Sequence, residues 1–186
     1  MVHVAGHYYH VYNRGVNRQP IFSDQGNYDF LLRRTRHFLP DYDLTFIAYC
    51  LMPNHYHFLI RVESDDELSP FIQRLLNSYT QAYNRQQKHS GTLFEGRAKS
   101  KLVPEAKYLL HLVRYIHLNP VQAGFVENPY NWQYSNYLVW TGHRQGTLYD
   151  PDLAIEFFSD PAEYEDFVLS EIPSNLERRL RKYTLE

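Results

Sequence analysis

Two apolar runs, Leu44–Leu51 and His55–Val62, flank the short connection Met52-Pro53-Asn54, and this arrangement leaves the middle of the chain few ways to fold. Both runs are rich in β-branched and aromatic residues, so they are predicted to pair as a β-hairpin. The signals on either side fall in a definite order. Gly6–Asn13 reads as a strand closed by the turn residues Asn13-Arg14-Gly15. Ser23-Asp24 offers an N-cap for a helix through about Leu39, which Pro40-Asp41 breaks. Ser69-Pro70 opens a second helix, in which Phe71, Leu75, Tyr79, Ala82 and Tyr83 keep helical spacing to about Lys88. Leu93–Val103 is a strand or extended arm interrupted at Gly96. Pro104-Glu105 then opens a third helix, which Asn119-Pro120 ends.

Strand, helix, strand, strand, helix, strand, helix is the order of a split βαβ unit. It predicts an α+β, ferredoxin-like fold, a mostly antiparallel sheet with helices against one face. After Gly146, Leu153–Phe158 and Ala162–Ile172 have helical patterning. The expected organisation is therefore a main domain over 1–145 and an acidic helical C-terminal extension over 146–186.

With 186 residues, 44% hydrophobic and 22% charged, the chain can bury one ordinary core and is not disordered by composition. No window approaches the roughly 18 apolar residues of a membrane span. The N-terminal stretch MVHVAGHYYHVYNRG lacks the basic and apolar regions of a secretory signal, so a cytoplasmic location is expected. The single cysteine, Cys50, excludes an internal disulfide framework and a multi-cysteine metal site.

Net charge is only -2, but it is unevenly spread. Residues 1–145 carry 15 Lys/Arg against 11 Asp/Glu, whereas 146–177 carry nine acids and no Lys/Arg. Between 70 and 114 there are eight basic residues against Glu95 and Glu105. That distribution fits either a phosphate-binding face or a solvated surface.

The chemistry concentrates in Pro53-Asn54-His55-Tyr56-His57. On a strand, residues i and i+2 share a face, so His55 and His57 present two imidazoles side by side. They are either a ligand pair for a divalent metal or two structural histidines in a chain with 10 His. In the third helix Leu109, Val113 and Ile116 form a core stripe, and Tyr115 and Asn119 stand one turn apart beside it. An amide one turn below a phenol either completes a His-His-Asn metal site next to a tyrosine hydroxyl or simply ends a helix before proline. A set of this kind suits phosphoryl transfer to a tyrosine.

These residues bring a family into view. The segments Tyr9-His10-Val11-Tyr12-Asn13-Arg14-Gly15, Met52-Pro53-Asn54-His55-Tyr56-His57, Leu93-Phe94-Glu95-Gly96-Arg97 and Tyr115-Ile116-His117-Leu118-Asn119-Pro120-Val121, with Trp132 and Ser135 downstream, stand in the order found in the HUH single-tyrosine transposases. Over about residues 6–140 the chain resembles their REP-associated branch, the insertion-sequence 200-like or transposase-17 group. The resemblance implies an HUH core in which His55, His57 and Asn119 bind Mg²⁺ or Mn²⁺ and Tyr115 is the nucleophile. Relatives outside the branch often carry Gln at the third ligand position. The implied reaction is cleavage of single-stranded DNA beside a palindromic repeat hairpin, giving a 5′-phosphotyrosine link and a free 3′-OH, with strand transfer on reversal. No nucleotide cofactor and no membrane are implied, and the chain would act as a monomer or homodimer at the bacterial nucleoid.

Arg14, Arg97, Lys99 and Lys101 are the candidate phosphate contacts. Tyr9, Tyr12 and Tyr56 either stack on bases or pack in the core. Tyr83, with Gln87 four residues on, is the rival nucleophile. Two other functions stay open: a domesticated hairpin-binding protein with little chemistry, and a phosphoesterase that uses metal-activated water. For the acidic segment, the expectation is either a cover over the DNA groove or a solvated, stabilising extension.

Overall fold

The computed structural model describes residues 2–88, 90–104 and 106–170. The hairpin forms where its sequence places it: β2 (Leu44–Met52) and β3 (His55–Val62) are antiparallel and joined by Pro53-Asn54 alone. With β1 (Tyr8–Arg14) and β4 (Lys99–Val103) they build one four-stranded antiparallel sheet in the order β2-β3-β1-β4. The helices are α1 (Gln25–Phe38), α2 (Leu68–Gln87), α3 (Ala106–Gln122), α4 (Tyr137–Trp140), α5 (Pro151–Phe157) and α6 (Pro161–Leu169). The architecture is thus α+β with the split βαβ strand order, followed by C-terminal helices. No helix among the described residues is long and apolar enough to cross a membrane.

Local chemistry sets the element ends. Asp24 caps α1 by accepting from the Asn27 amide at 3.0 Å. Gly15 follows β1 where a Cβ would sit 2.0 Å from the Gln19 carbonyl oxygen, a space only glycine leaves free. The extended arm from Leu93 contributes a single bridge, Phe94 to Gly15, and becomes strand only at Lys99. Gly96, at a φ of 82°, makes the turn between them. Pro120 does not end α3, which runs to Gln122 because the Ala123 amide reaches the Asn119 carbonyl at 2.9 Å. Glu105 and residues 171–186, including the last two positions of the expected Ala162–Ile172 helix, lie outside the described residues.

The helices do not lie against one face as expected. Alternation along β3 sends Tyr56, Phe58, Ile60 and Val62 to one side, where Leu31 of α1 and Phe71, Leu75 and Tyr79 of α2 complete a core. The opposite side, with Leu59 of β3 and Ala48, Cys50 and Met52 of β2, packs against Leu109, Leu112, Val113 and Ile116 of α3. The first face is already filled by two helices, so the apolar stripe of α3 has only the second to cover.

The described part of the C-terminal segment enters that second core. Leu153, Phe158, Tyr164 and Val168 are buried with α3, and Trp140 packs against Tyr164 at a ring separation of 4.7 Å. A buried network ties these pieces to the sheet. Asn136 Oδ1 accepts from the Tyr49 amide and from His117 Nε2, both at 2.8 Å, while its Nδ2 donates to the carbonyls of Ile47 and Leu148. The Ile47 carbonyl, turned out of the ladder by a β-bulge, also accepts from Trp140 Nε1 at 3.0 Å. Tyr164 Oη closes the network on His117 Nδ1.

Two expectations follow. Tyr164→Ala deletes a buried ring and a buried hydroxyl, and should cost about 3–5 kcal/mol in denaturant unfolding. The His117 pKa is lowered to about 4, chiefly by burial. As pH falls from about 6.5 to about 4 the unfolded chain takes up a proton that the folded ring refuses, so stability falls by up to about 1.4 kcal/mol per pH unit. Unfolding midpoints between pH 7 and 5 should show this slope, added to that of the other buried histidines His10, His55 and His57, and His117→Gln should reduce it.

Candidate active site

The register of the sheet assembles the site. His55 and His57 of β3 pair with Arg14 and Tyr12 of β1, and Tyr12 and His10 pair in turn with Lys99 and Lys101 of β4. Directly paired residues share a face. His10, Tyr12, Arg14, His55, His57, Lys99 and Lys101 therefore all stand on the α3 side of the sheet. Tyr115 and Asn119 project from α3 onto the same ground. The Tyr115 ring meets the His57 ring edge to face, with centroids 5.7 Å apart, and Asn119 Oδ1 lies 3.3 Å from His55 Nε2.

The hydrogen bonds define which atoms are left for chemistry. Asn54 Nδ2 donates to the Arg18 carbonyl, so Asn54 Oδ1 is the atom that faces His55 Nδ1, at 2.6 Å. That contact places the His55 proton on Nδ1 and a lone pair on Nε2. Asn119 is oriented in the same way: Nδ2 donates to the Tyr115 carbonyl at 3.4 Å, turning Oδ1 toward His55. In that tautomer, His55 Nε2 and Asn119 Oδ1 face each other at 3.3 Å as two acceptors. His57 lies wholly inside the protein, its Nδ1 is 2.9 Å from His10 Nε2, and its Nε2 has no hydrogen-bond partner among the described residues.

Burial lowers the pKa of His55, and lowers that of His57 well below the usual imidazole value, with the neighbouring His10 and His55 adding to the effect at His57. Both rings are uncharged donors at neutral pH. An orphaned buried nitrogen and a pair of opposed acceptors are what a small hard cation satisfies, so His55, His57 and Asn119 could hold a divalent metal. With three neutral donors, such an ion would keep its charge for a substrate.

Other expected residues are sorted by position. Lys99 and Lys101 flank the histidines, and the Lys101 ammonium lies 5.4 Å from the Tyr12 ring centroid. Arg14 is on the same face but engages the Glu95 carboxylate. Arg97 is not part of this group: it lines a cavity of about 450 Å³ with Asn13, Gln73, Asn77 and Thr80, on the α2 side of the sheet. Tyr83 is also on the α2 side, its hydroxyl 2.8 Å from Ser23 Oγ, away from both histidines. Tyr9, Tyr12 and Tyr56 are all buried, which fits packing rather than stacking on a base. Trp132 and Ser135 belong to a segment that runs along the outer edge of β2, where Trp132 Nε1 donates to the Leu51 carbonyl.

Two contributors escaped the sequence reading, Asn54 and His10. Asn54 stands beside the histidine pair in the sequence, but nothing in its spacing assigns it a role. The period-two spacing His10-x-Tyr12-x-Arg14 would have put His10 on one face of its strand, but which neighbour that face meets depends on a register that sequence alone does not supply.

Residues 3–119 match the family described as Transposase IS200 like. The chain belongs to that family. A Haemophilus influenzae protein named as a REP-associated tyrosine transposase is 28% identical over 144 residues, covering 62% of this chain and 82% of that protein. A solved structure of a REP-associated tyrosine transposase bound to a REP hairpin superposes with a TM-score of 0.66, covering 81% of this chain and 91% of that one. At 20% identity, this second likeness establishes the shared fold.

Proposed function

We propose that this family member is a metal-dependent transposase or nicking endonuclease, which cleaves and rejoins single-stranded DNA beside a palindromic repeat hairpin through Tyr115. The observation that carries the reading is that His55 Nε2 lies 3.3 Å from Asn119 Oδ1 while His57 Nε2 is buried without a hydrogen-bond partner among the described residues, beside a tyrosine one helical turn from Asn119. The hairpin substrate is suggested by the fold likeness to a REP-associated tyrosine transposase bound to such a hairpin.

His55, His57 and Asn119 would hold Mg²⁺ or Mn²⁺, which when bound polarises the scissile phosphate and offsets its developing charge. Tyr115 Oη attacks the phosphorus and gives up its proton. The O3′ of the departing strand gains one and leaves as a free 3′-OH. The 5′ phosphate stays ester-linked to Tyr115. One phosphoester bond is made for each one broken, so no nucleotide cofactor is required, and reversal onto another 3′ end joins strands. α3 supports this step by fixing Tyr115 and Asn119 on one rigid element whose apolar stripe is locked against β2 and β3. Lys99 and Lys101 supply phosphate contacts that position the strand without reading its sequence.

Labelled single-stranded hairpin DNA, incubated with the protein and Mg²⁺ or Mn²⁺ and run on a denaturing gel, should give a covalent protein–DNA band. Tyr115→Phe should abolish the band and slow cleavage by about 10³-fold or more, and EDTA should stop it. Cleavage that survives Tyr115→Phe without a covalent band would replace this reading with metal-activated water. Binding without cleavage would reduce the protein to a hairpin-binding module. Lys99→Ala and Lys101→Ala should each weaken binding to all sequences alike and lower the salt slope by about 1.

A further inference from the structure

His10 lies on β1, a strand flanked by β3 and β4, and its side chain is completely buried on the face that carries the histidine pair. Its ring lies nearly parallel to that of His57, with centroids 5.0 Å apart and an interplanar angle of 17°. The contact between them is His10 Nε2 to His57 Nδ1 at 2.9 Å. A neutral imidazole bears one proton, so this contact has two arrangements. If His57 Nδ1–H donates to His10, the lone pair of His57 sits on Nε2, the atom left unsatisfied beside Tyr115. If His10 Nε2–H donates instead, the His57 proton moves to Nε2 and blocks it.

We propose that His10 is a positioning residue: by accepting the Nδ1 proton of His57 it fixes the ring orientation and tautomer in which His57 Nε2 is a free donor. This rests on the reading of His55, His57 and Asn119 as metal ligands. It also makes the two histidines of the pair alike. Each uses Nδ1–H on a neighbour, His55 on the Asn54 amide and His57 on His10, and each turns Nε2 inward. Partners of this kind commonly change metal affinity by about 10–100-fold when removed. Among the described residues, the polar side chains that share the sheet face next to His57 are His10, Tyr12, Arg14, His55, Lys99 and Lys101, none of them a carboxylate that could perform the same service.

The test measures Mn²⁺ binding to the full chain by calorimetry, with melting in EDTA as the measure of folding. Wild type should bind Mn²⁺, and His55→Ala should bind it far more weakly. His10→Leu should lose about 10–100-fold in affinity, while His10→Gln, whose Oε1 can accept the same proton, should recover most of it. A purely structural role would lower the melting temperature without separating Leu from Gln in metal affinity. Folded His10→Leu that binds Mn²⁺ like wild type overturns the proposal while leaving the ligand set standing. Wild type and His55→Ala behaving alike would overturn the ligand set, and the role of His10 with it. A readout independent of any variant is the ¹⁵N shift of the His57 ring in metal-free protein: a protonated Nδ1 and bare Nε2 are expected, and the reverse tautomer refutes the assignment.

Discussion

β3 is buried on both faces, and the rest of the molecule is arranged around that condition. On one side its alternate residues are aromatic and aliphatic and meet α1 and α2. On the other, Leu59 meets α3 while His57 is enclosed and His55 is half-enclosed. A charged imidazole in such a place would lose its hydration without a compensating carboxylate, so the rings remain neutral and their nitrogens must find neutral partners. Asn54 and His10 are those partners, from a turn and a neighbouring strand, while Asn119, from a helix that crosses the sheet, turns its oxygen toward His55. Each buried ring therefore needs a neighbour on its outer nitrogen.

Much of this was visible in the chain itself, because the informative patterns are local. The hairpin depends on two runs and a two-residue link, the ends of α1 on an aspartate cap, and the pairing of Tyr115 with Asn119 on helical pitch. The face shared by His55 and His57 depends only on strand alternation. What could not be read was whatever depends on packing between distant segments. The stripe Leu109, Val113, Ile116 shows that α3 has a core face but not which side of the sheet it covers. Pro120 looked like a stop because it lacks an amide, yet a helix near its last turn loses only one hydrogen bond to such a residue. Arg97 and Lys99 are two apart in sequence, but the turn at Gly96 and the onset of β4 place them on opposite sides of the sheet.

The acidic C-terminal segment shows the same limit from another angle. Its charge pattern suggested either a cover over the basic face or a solvated extension. Its buried side chains, Leu153, Phe158, Tyr164 and Val168, pack instead behind α3, next to Arg114 and His117 rather than next to Tyr115 and Asn119. On a helix, positions 114 and 117 lie on a different flank from 115 and 119. The apolar side of the described segment is therefore seated on the flank of α3 away from Tyr115 and Asn119, and Asp150 at its start pairs with Arg61 of β3 at 3.6 Å.

The two margins of the sheet are finished differently. Along β2 the outer backbone groups are occupied: the Leu51 amide by the Tyr134 carbonyl at 2.9 Å, the Tyr49 amide by Asn136, and the Leu51 carbonyl by the Trp132 indole. β4, at the other end of the strand order, pairs on one side with β1 and forms no ladder on its other side among the described residues. A bare margin invites another polypeptide strand to add, and with it aggregation. Lysines at alternate positions oppose this, since a second copy docking there would crowd ammonium groups of like charge. The same groups attract any chain of opposite charge. Among the described residues, the margin left unpaired is thus discouraging to protein and receptive to a polyanion.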